Sequence, residues 1–222
     1  MPTVLITGAD RAFPLALASR YATLGWQVIA AGSTVIDARL KERFGDLVES
    51  VHYDPLDESS AEKLAEWLGE RAIDVIFLDE GIPDTDDRPP EAIGAEHWRP
   101  IMLANTYAPL RLASLLETNL KNGEHKILAA VSSHAASIGD HDGSRGFAYR
   151  ASKAALNQMW RNLSVEWRPW GCICLLLSSD GIENAENHGP DEIVARLQSF
   201  VGSVSSEQSG LHWTYDGQPI PW

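Results

Sequence analysis

Apolar residues come along this chain in short unbroken runs, and between the runs they recur at three- and four-residue spacing. Unbroken runs read as strands buried on both faces, and the wider spacing as helices that cover them. The pattern predicts strands over Thr3–Thr7, Gln27–Ala31, Leu47–Tyr53, Ile73–Leu78, Lys126–Ser132, Ile173–Leu177 and, last and shortest, near Leu211–Thr214. It predicts helices over Pro14–Leu24, Val35–Phe44, Ser59–Arg71, Glu96–Leu120, Phe147–Trp167 and Asp191–Val201. Pro14 in the first turn and Gly25 after the last punctuate the first helix. Leu64, Trp67 and Leu68 mark the apolar stripe of the third. Pro100 and Pro109 are expected to bend the fourth, and Gly81–Pro90, rich in Asp and Pro, to be a surface loop.

Strands that alternate with helices to this extent predict an α/β fold: a doubly wound, Rossmann-type parallel sheet with helices on both faces. In such a sheet the ligand crevice lies at the carboxyl ends of the strands. No internal repeat, low-complexity tract or linker interrupts residues 1–222, so a single domain is expected.

Composition changes this picture mainly by exclusion. Apolar residues at 44% and charged residues at 22% suit a soluble globular protein and not a disordered one. A formal charge of −13 repels nucleic acid and anionic membranes, so neither is expected as a partner. Any phosphate ligand must rely on local N–H groups and a few cations. Cys172 and Cys174, two apart on a strand, read as reduced core thiols, and the scattered histidines form no metal motif. With neither a secretory n-region nor a stretch of membrane-spanning length, a cytoplasmic location is expected.

The first strand runs into Thr7-Gly8-Ala9-Asp10-Arg11-Ala12-Phe13-Pro14, where a helix opens. A turn feeding a helix N-terminus presents N–H groups and positive dipole to a pyrophosphate; the alternative is an ordinary β–α turn. An acidic residue ending the second strand would bind ribose hydroxyls and repel a 2′-phosphate. Gly32 and Ser33 stand there instead, so no carboxylate is expected in the way.

The strongest chemical signal is Tyr149-Arg150-Ala151-Ser152-Lys153 at the head of a long helix. The i, i+4 spacing puts phenol and ammonium on one face. Lowering a phenol by about three pKa units takes roughly 4 kcal/mol. A unit charge about 4 Å away, at an effective dielectric near 20, supplies about that much. Ser132-Ser133 ends the fifth strand, at the edge where chemistry belongs. Asn105 lies inside a helix that it disfavours; it serves either a purpose there or simply a bend or polar surface.

In these segments the chain resembles the short-chain dehydrogenases, in particular their carbonyl-reductase-like branch with the C-signal type. The resemblance rests on Ala148–Asn157 and on the tail Tyr215-Asp216-Gly217-Gln218-Pro219-Ile220-Pro221-Trp222, and it spans essentially the whole chain. The tail's local reading is a turn at Asp216-Gly217 and a buried aromatic end pinning the terminus.

The resemblance implies a nicotinamide-dependent interconversion of a carbonyl and an alcohol on a small-molecule substrate. Tyr149 would give the proton, Ser133 (Ser132 being the alternative) would hold the substrate oxygen, Lys153 would acidify Tyr149 and bind the nicotinamide ribose, and Asn105 would anchor a water relay. It implies cofactor contacts from Gly8, Asp10, Arg11, Ala12, Phe13, Ser33, Asp54, Gly81 and Gly181 as well as Tyr149 and Lys153. Arg11 stands where NADP-preferring members carry a basic residue, so NADP is favoured over NAD; a solvated loop charge is the alternative. Asp54 corresponds to the residue beside the adenine, or else is a helix-initiating acid. The chain departs from the pattern in three places. Ala12 and Pro14 replace glycines, Asp79-Glu80-Gly81 replaces Asn-Ala-Gly, and Ser178-Ser179-Asp180-Gly181-Ile182-Glu183 replaces a Pro-Gly segment with its Thr. These departures favour a second reading, a cofactor-binding sensor or signalling protein with little turnover. A homodimer or homotetramer is also implied, pairing the helices that carry Leu110, Leu156, Met159 and Trp160.

Overall fold

The apolar runs become the strands of one sheet. The computed structural model describes residues 1–34, 36–83, 88–140, 143–178 and 190–222. The strands are β1 (Thr3–Ile6), β2 (Gln27–Gly32), β3 (Val48–His52), β4 (Val75–Leu78), β5 (Ile127–Ser132), β6 (Ile173–Ser178), β7 (His212–Trp213) and β8 (Pro219–Ile220). Their order across the sheet is β3-β2-β1-β4-β5-β6-β7-β8. All neighbours are parallel except β7 and β8, which pair antiparallel after a turn in which Gly217 adopts φ +82°. The chain winds outward from β1 through β2 to β3, then returns to set β4 on the other side of β1. That reversal opens a crevice between the ends of β1 and β4.

The helices are α1 (Ala12–Thr23), α2 (Ala38–Phe44), α3 (Glu58–Leu68), α4 (Ala95–Met102), α5 (Ala108–Leu115), α6 (Glu117–Asn122), α7 (Phe147–Glu166) and α8 (Pro190–Val201). Alternate residues of each strand serve opposite faces. Leu5, Ile29, Ile76, Leu128 and Leu176 pack with Leu64, Leu112, Leu156 and Trp160 of α3, α5 and α7. Val4, Val28, Phe77 and Leu175 pack with Leu17, Tyr21, Leu197 and Val201 of α1 and α8.

Several expectations change. The helix expected over Glu96–Leu120 is three segments, and a π-helical turn, Leu103–Tyr107, joins α4 to α5. Trp67 is off the core, with the Arg71 guanidinium 4.2 Å from its ring centre. Leu156 and Trp160 lie in the core and are not free to meet another chain. The tail adds the unexpected strand β8, and Ile220 rather than Trp222 is its buried residue. The terminus is instead held by its backbone, Trp222 O accepting from Gly139 N. The first residue of the helix expected from Val35 lies outside the described residues; α2 begins after Asp37, whose side chain caps it by accepting from Arg39 N at 3.0 Å. Cys172 and Cys174 are free and buried, Sγ to Sγ 3.8 Å, and the hydrogen bond with the neighbouring thiol, together with burial, pushes Cys172 well above the usual thiol range.

Candidate active site

The turn after β1 is shaped by Gly8, which adopts φ +65°, a conformation that a side chain would oppose. Ala12 and Phe13 open α1 and carry N–H groups with no helical partner one turn back; Pro14, third in the helix, has none to offer. A cavity of about 310 Å³ lies against this turn. Gly8, Asp10, Arg11, Ser33, Asp54, Glu80 and Gly81 are among its lining residues. A turn of this kind, feeding the positive end of a helix beside an open cleft, fits the phosphates of a dinucleotide.

The expectation that no carboxylate stands at the end of β2 is corrected by the fold. Asp10 reaches back from the turn, and its Oδ2 accepts from Ser33 Oγ at 3.1 Å, Thr34 N at 3.0 Å and Thr34 Oγ1 at 2.8 Å. Burial alone would raise its carboxyl, but these hydrogen bonds outweigh it and hold the group below its ordinary value. The carboxylate that β2 lacks is thus supplied by the phosphate turn. Arg11 is exposed but not unpaired: its guanidinium lies 3.3 Å from Asp79 Oδ1. Asp54 turns its Oδ1 to Leu56 N at 2.9 Å, and Asp57, not Asp54, caps α3.

Asp79 and Glu80 are both buried. Burial raises the Asp79 carboxyl, while Arg11 and Lys153 oppose the rise. Glu80 is pushed up to about 7, mainly by burial and further by the charge of Asp79. Neither oxygen of Glu80 has a hydrogen bond. The Thr7 hydroxyl beside it donates to Phe77 O and accepts from Asp79 N, so its one proton is already committed.

Tyr149 and Lys153 stand one turn apart on α7, and Lys153 reaches the end of β5. Lys153 is buried and donates from Nζ to Val131 O at 2.8 Å and Glu80 O at 3.2 Å. The same nitrogen stands 5.9 Å from the centre of the Tyr149 ring. A Cβ at Gly81 would lie 3.5 Å from Lys153 Nζ, an ordinary contact, so the lysine does not depend on a glycine there for its space. The two serines part company. Ser132 Oγ donates to Asn157 Oδ1 at 2.7 Å inside the core, whereas Ser133 caps a short turn over His134–Ala136, its Oγ accepting from Ala135 N at 3.1 Å. Ser132 is thus committed to the core, while Ser133 follows directly on the end of β5.

Asn105 is fully buried in the π-helical turn. Its Oδ1 accepts from Ile82 N at 2.7 Å, and its Nδ2 donates to Ile82 O at 3.1 Å and Ser152 Oγ at 3.0 Å. Both amide hydrogens are committed, so the side chain acts as a clamp, and only a lone pair on Oδ1 is left for the expected water relay. Ser152 was not singled out from the sequence. Its signal was a small hydroxyl residue in a helix interior, where such residues need a local partner. Gly181, expected at the nicotinamide, lies outside the described residues, as does the rest of 179–189. Among the described residues no group of His, Cys, Asp or Glu could hold a metal ion, and no helix is long and apolar enough to cross a membrane.

A sheet reversing at β1 and β4, with a phosphate-type turn at the reversal, is that of the Rossmann-type α/β proteins. Within that class the chain belongs to the short chain dehydrogenase family, whose model matches residues 2–184, a family of oxidoreductases that use NAD or NADP. It is 31% identical over 124 residues to the C-signal of Myxococcus xanthus, covering 53% of this chain and 74% of that protein. It is 27% identical to 1-hydroxy-2-glutathionyl-2-methyl-3-butene dehydrogenase of Rhodococcus sp. (strain AD45), with both chains covered in full. A carbonyl reductase from Pseudomonas aeruginosa PAO1, in a crystal structure in complex with NADP, superposes with a TM-score of 0.87 at 30% identity, both chains again covered in full.

Proposed function

We propose that this protein interconverts a carbonyl and an alcohol with a nicotinamide cofactor, NADP(H) in preference to NAD(H). The observation that carries the reading is the chain of contacts running from Asn105 through Ser152 to α7. On that helix Lys153 Nζ stands 5.9 Å from the centre of the Tyr149 ring, and Ser133 follows directly on the end of β5. The bound cofactor supplies the hydride. Tyr149 donates its proton to the carbonyl oxygen, Ser133 hydrogen-bonds the same oxygen, and Lys153 eases the proton's departure by its charge. Asn105 positions α7 against the loop after β4. Support for NADP(H) comes from the NADP held by the Pseudomonas carbonyl reductase and from the cation Arg11 in the cleft.

The second reading, a nucleotide-binding sensor with little turnover, is favoured by Pro14 in the phosphate turn and by the acidic pair Asp79-Glu80, and it fits the likeness to the C-signal. Titration with NADPH and NADH, followed by a panel of aldehydes and ketones with Tyr149→Phe as control, separates the two. Nucleotide oxidation that depends on Tyr149 supports the enzyme. Binding without it across the panel supports the sensor, and no binding of either nucleotide removes both.

A further inference from the structure

The space that a side chain at Gly8 would take is already filled from within. A Cβ built there meets Arg11 Nη2 and the main-chain oxygen of Asp79. Arg11 therefore lies folded across the turn, and its ion pair with Asp79 spans the two strand ends, β1 and β4, between which the cleft opens. Both residues line the cavity. Among the described residues there, Arg11 is the one cation, facing the acids Asp10, Asp54, Asp79 and Glu80. An anionic ligand entering this cleft needs that cation, and the cation is engaged.

We propose that Asp79 is an internal competitor for Arg11, and that a nucleotide phosphate binds by drawing the guanidinium off it. The proposal rests on the nucleotide-binding reading above. It gives a purpose to an acid where the family pattern has an amide: a carboxylate pairs with the guanidinium by charge, as an amide cannot. A phosphate that draws the guanidinium away must break the ion pair, so the strength of the pair is subtracted from the affinity for the phosphate. The phosphate that takes Arg11 is either the 2′-phosphate of NADP(H) or the pyrophosphate shared by both nucleotides.

The test is a binding cycle on the full chain: wild type, Asp79→Asn, Arg11→Ala and the double variant, each titrated with NADPH and with NADH at fixed salt, with circular dichroism to establish folding. Asp79→Ala takes the place of Asp79→Asn should the latter fail to fold. Asp79→Asn is expected to tighten NADPH binding about tenfold when Arg11 is present, and to change nothing in the Arg11→Ala background. A gain confined to NADPH assigns Arg11 to the 2′-phosphate; an equal gain with NADH assigns it to the pyrophosphate. The same gain with and without Arg11 shows plain repulsion by Asp79 and overturns the competition. So does an unchanged or weaker affinity in Asp79→Asn. If none of the four proteins binds either nucleotide, the competition and the nucleotide reading fall together, whereas binding without coupling removes the competition alone.

Discussion

Asn105 donates from Nδ2 to Ser152 Oγ at 3.0 Å, and the same hydroxyl donates onward to the main-chain oxygen of Tyr149 at 2.7 Å. One buried amide therefore holds both the loop after β4, through Ile82, and the turn of α7 that carries the phenol. The π-helical turn is what lets Asn105 reach across, because the widened coil carries its side chain toward α7 and the loop.

Replacing Asn105 by Ala leaves the Ile82 amide and Ser152 without their partner. The loss of buried hydrogen bonds should lower stability by about 2–3 kcal/mol. Urea denaturation measures this directly. A midpoint unchanged from wild type would show that the clamp carries no structural weight.

Tyr149→Phe removes the hydroxyl proposed as the proton donor. Turnover of any accepted carbonyl should fall by about 10² or more, a larger factor than any loss of nucleotide affinity. Ser133→Ala should also lower kcat, because it withdraws a hydrogen bond from the reacting oxygen. Ser132→Ala should instead show in stability, by about 1 kcal/mol, through the lost contact with Asn157. Steady-state kinetics beside thermal melts distinguish the two serines.

Glu80 gives a pH signature. Its folded-state value, about 7, stands above its ordinary 4.5, so folding favours the protonated acid. The stability it contributes is complete below about pH 4.5 and is lost as pH rises through 7, a swing of about 3 kcal/mol. Glu80→Gln should therefore melt higher than wild type at pH 8 and close to it near pH 5. Equal differences at both pH values would count against a buried, ionising Glu80.

Asp10 sets its carboxylate at the end of β2, where the adenosine ribose of a bound dinucleotide would approach. Removing its charge with Asp10→Asn should shift preference toward NADPH over NADH by about tenfold, since the charge opposes a 2′-phosphate and can serve a 2′-hydroxyl. Paired titrations with the two nucleotides give the ratio, and a ratio that does not move would separate Asp10 from nucleotide choice.

An apolar groove of about 720 Å³, lined by Leu56, Trp98, Pro100, Met102, Leu103 and Tyr107, lies on one of the two helical stretches for which pairing with a second copy is expected, Glu96–Leu120. Light scattering behind size exclusion should give two or four times 24.4 kDa. A mass of one chain would dispose of the pairing.

The strands were legible because each is a run of apolar residues that only a doubly covered sheet can bury, and Tyr149 with Lys153 because helical spacing is a local property. Asn105 was legible as an anomaly, a poor helix former that turned out to sit in a π-helical turn. What stayed hidden depends on residues brought together from afar. Asp10 reads as a loop acid until the turn folds back on Ser33 and Thr34, and Arg11 as a solvated cation until β4 brings Asp79 beneath it. Trp67 shows the opposite failure: it keeps helical spacing yet faces solvent under Arg71, because the stripe that α3 buries is narrower than its apolar residues suggest.

The placing of β4 against β1, with β2 and β3 threaded between them in the chain, bears on how the protein folds. Thr7 N donates to Phe77 O across the intervening β2 and β3 units of the chain, which lie on the far side of β1. Contacts of such long range come at a high loop-closure entropy and tend to form slowly. The cleft is then among the last features to be completed. A nucleotide supplied during refolding should act as a brake on unfolding and leave the rate of folding nearly untouched.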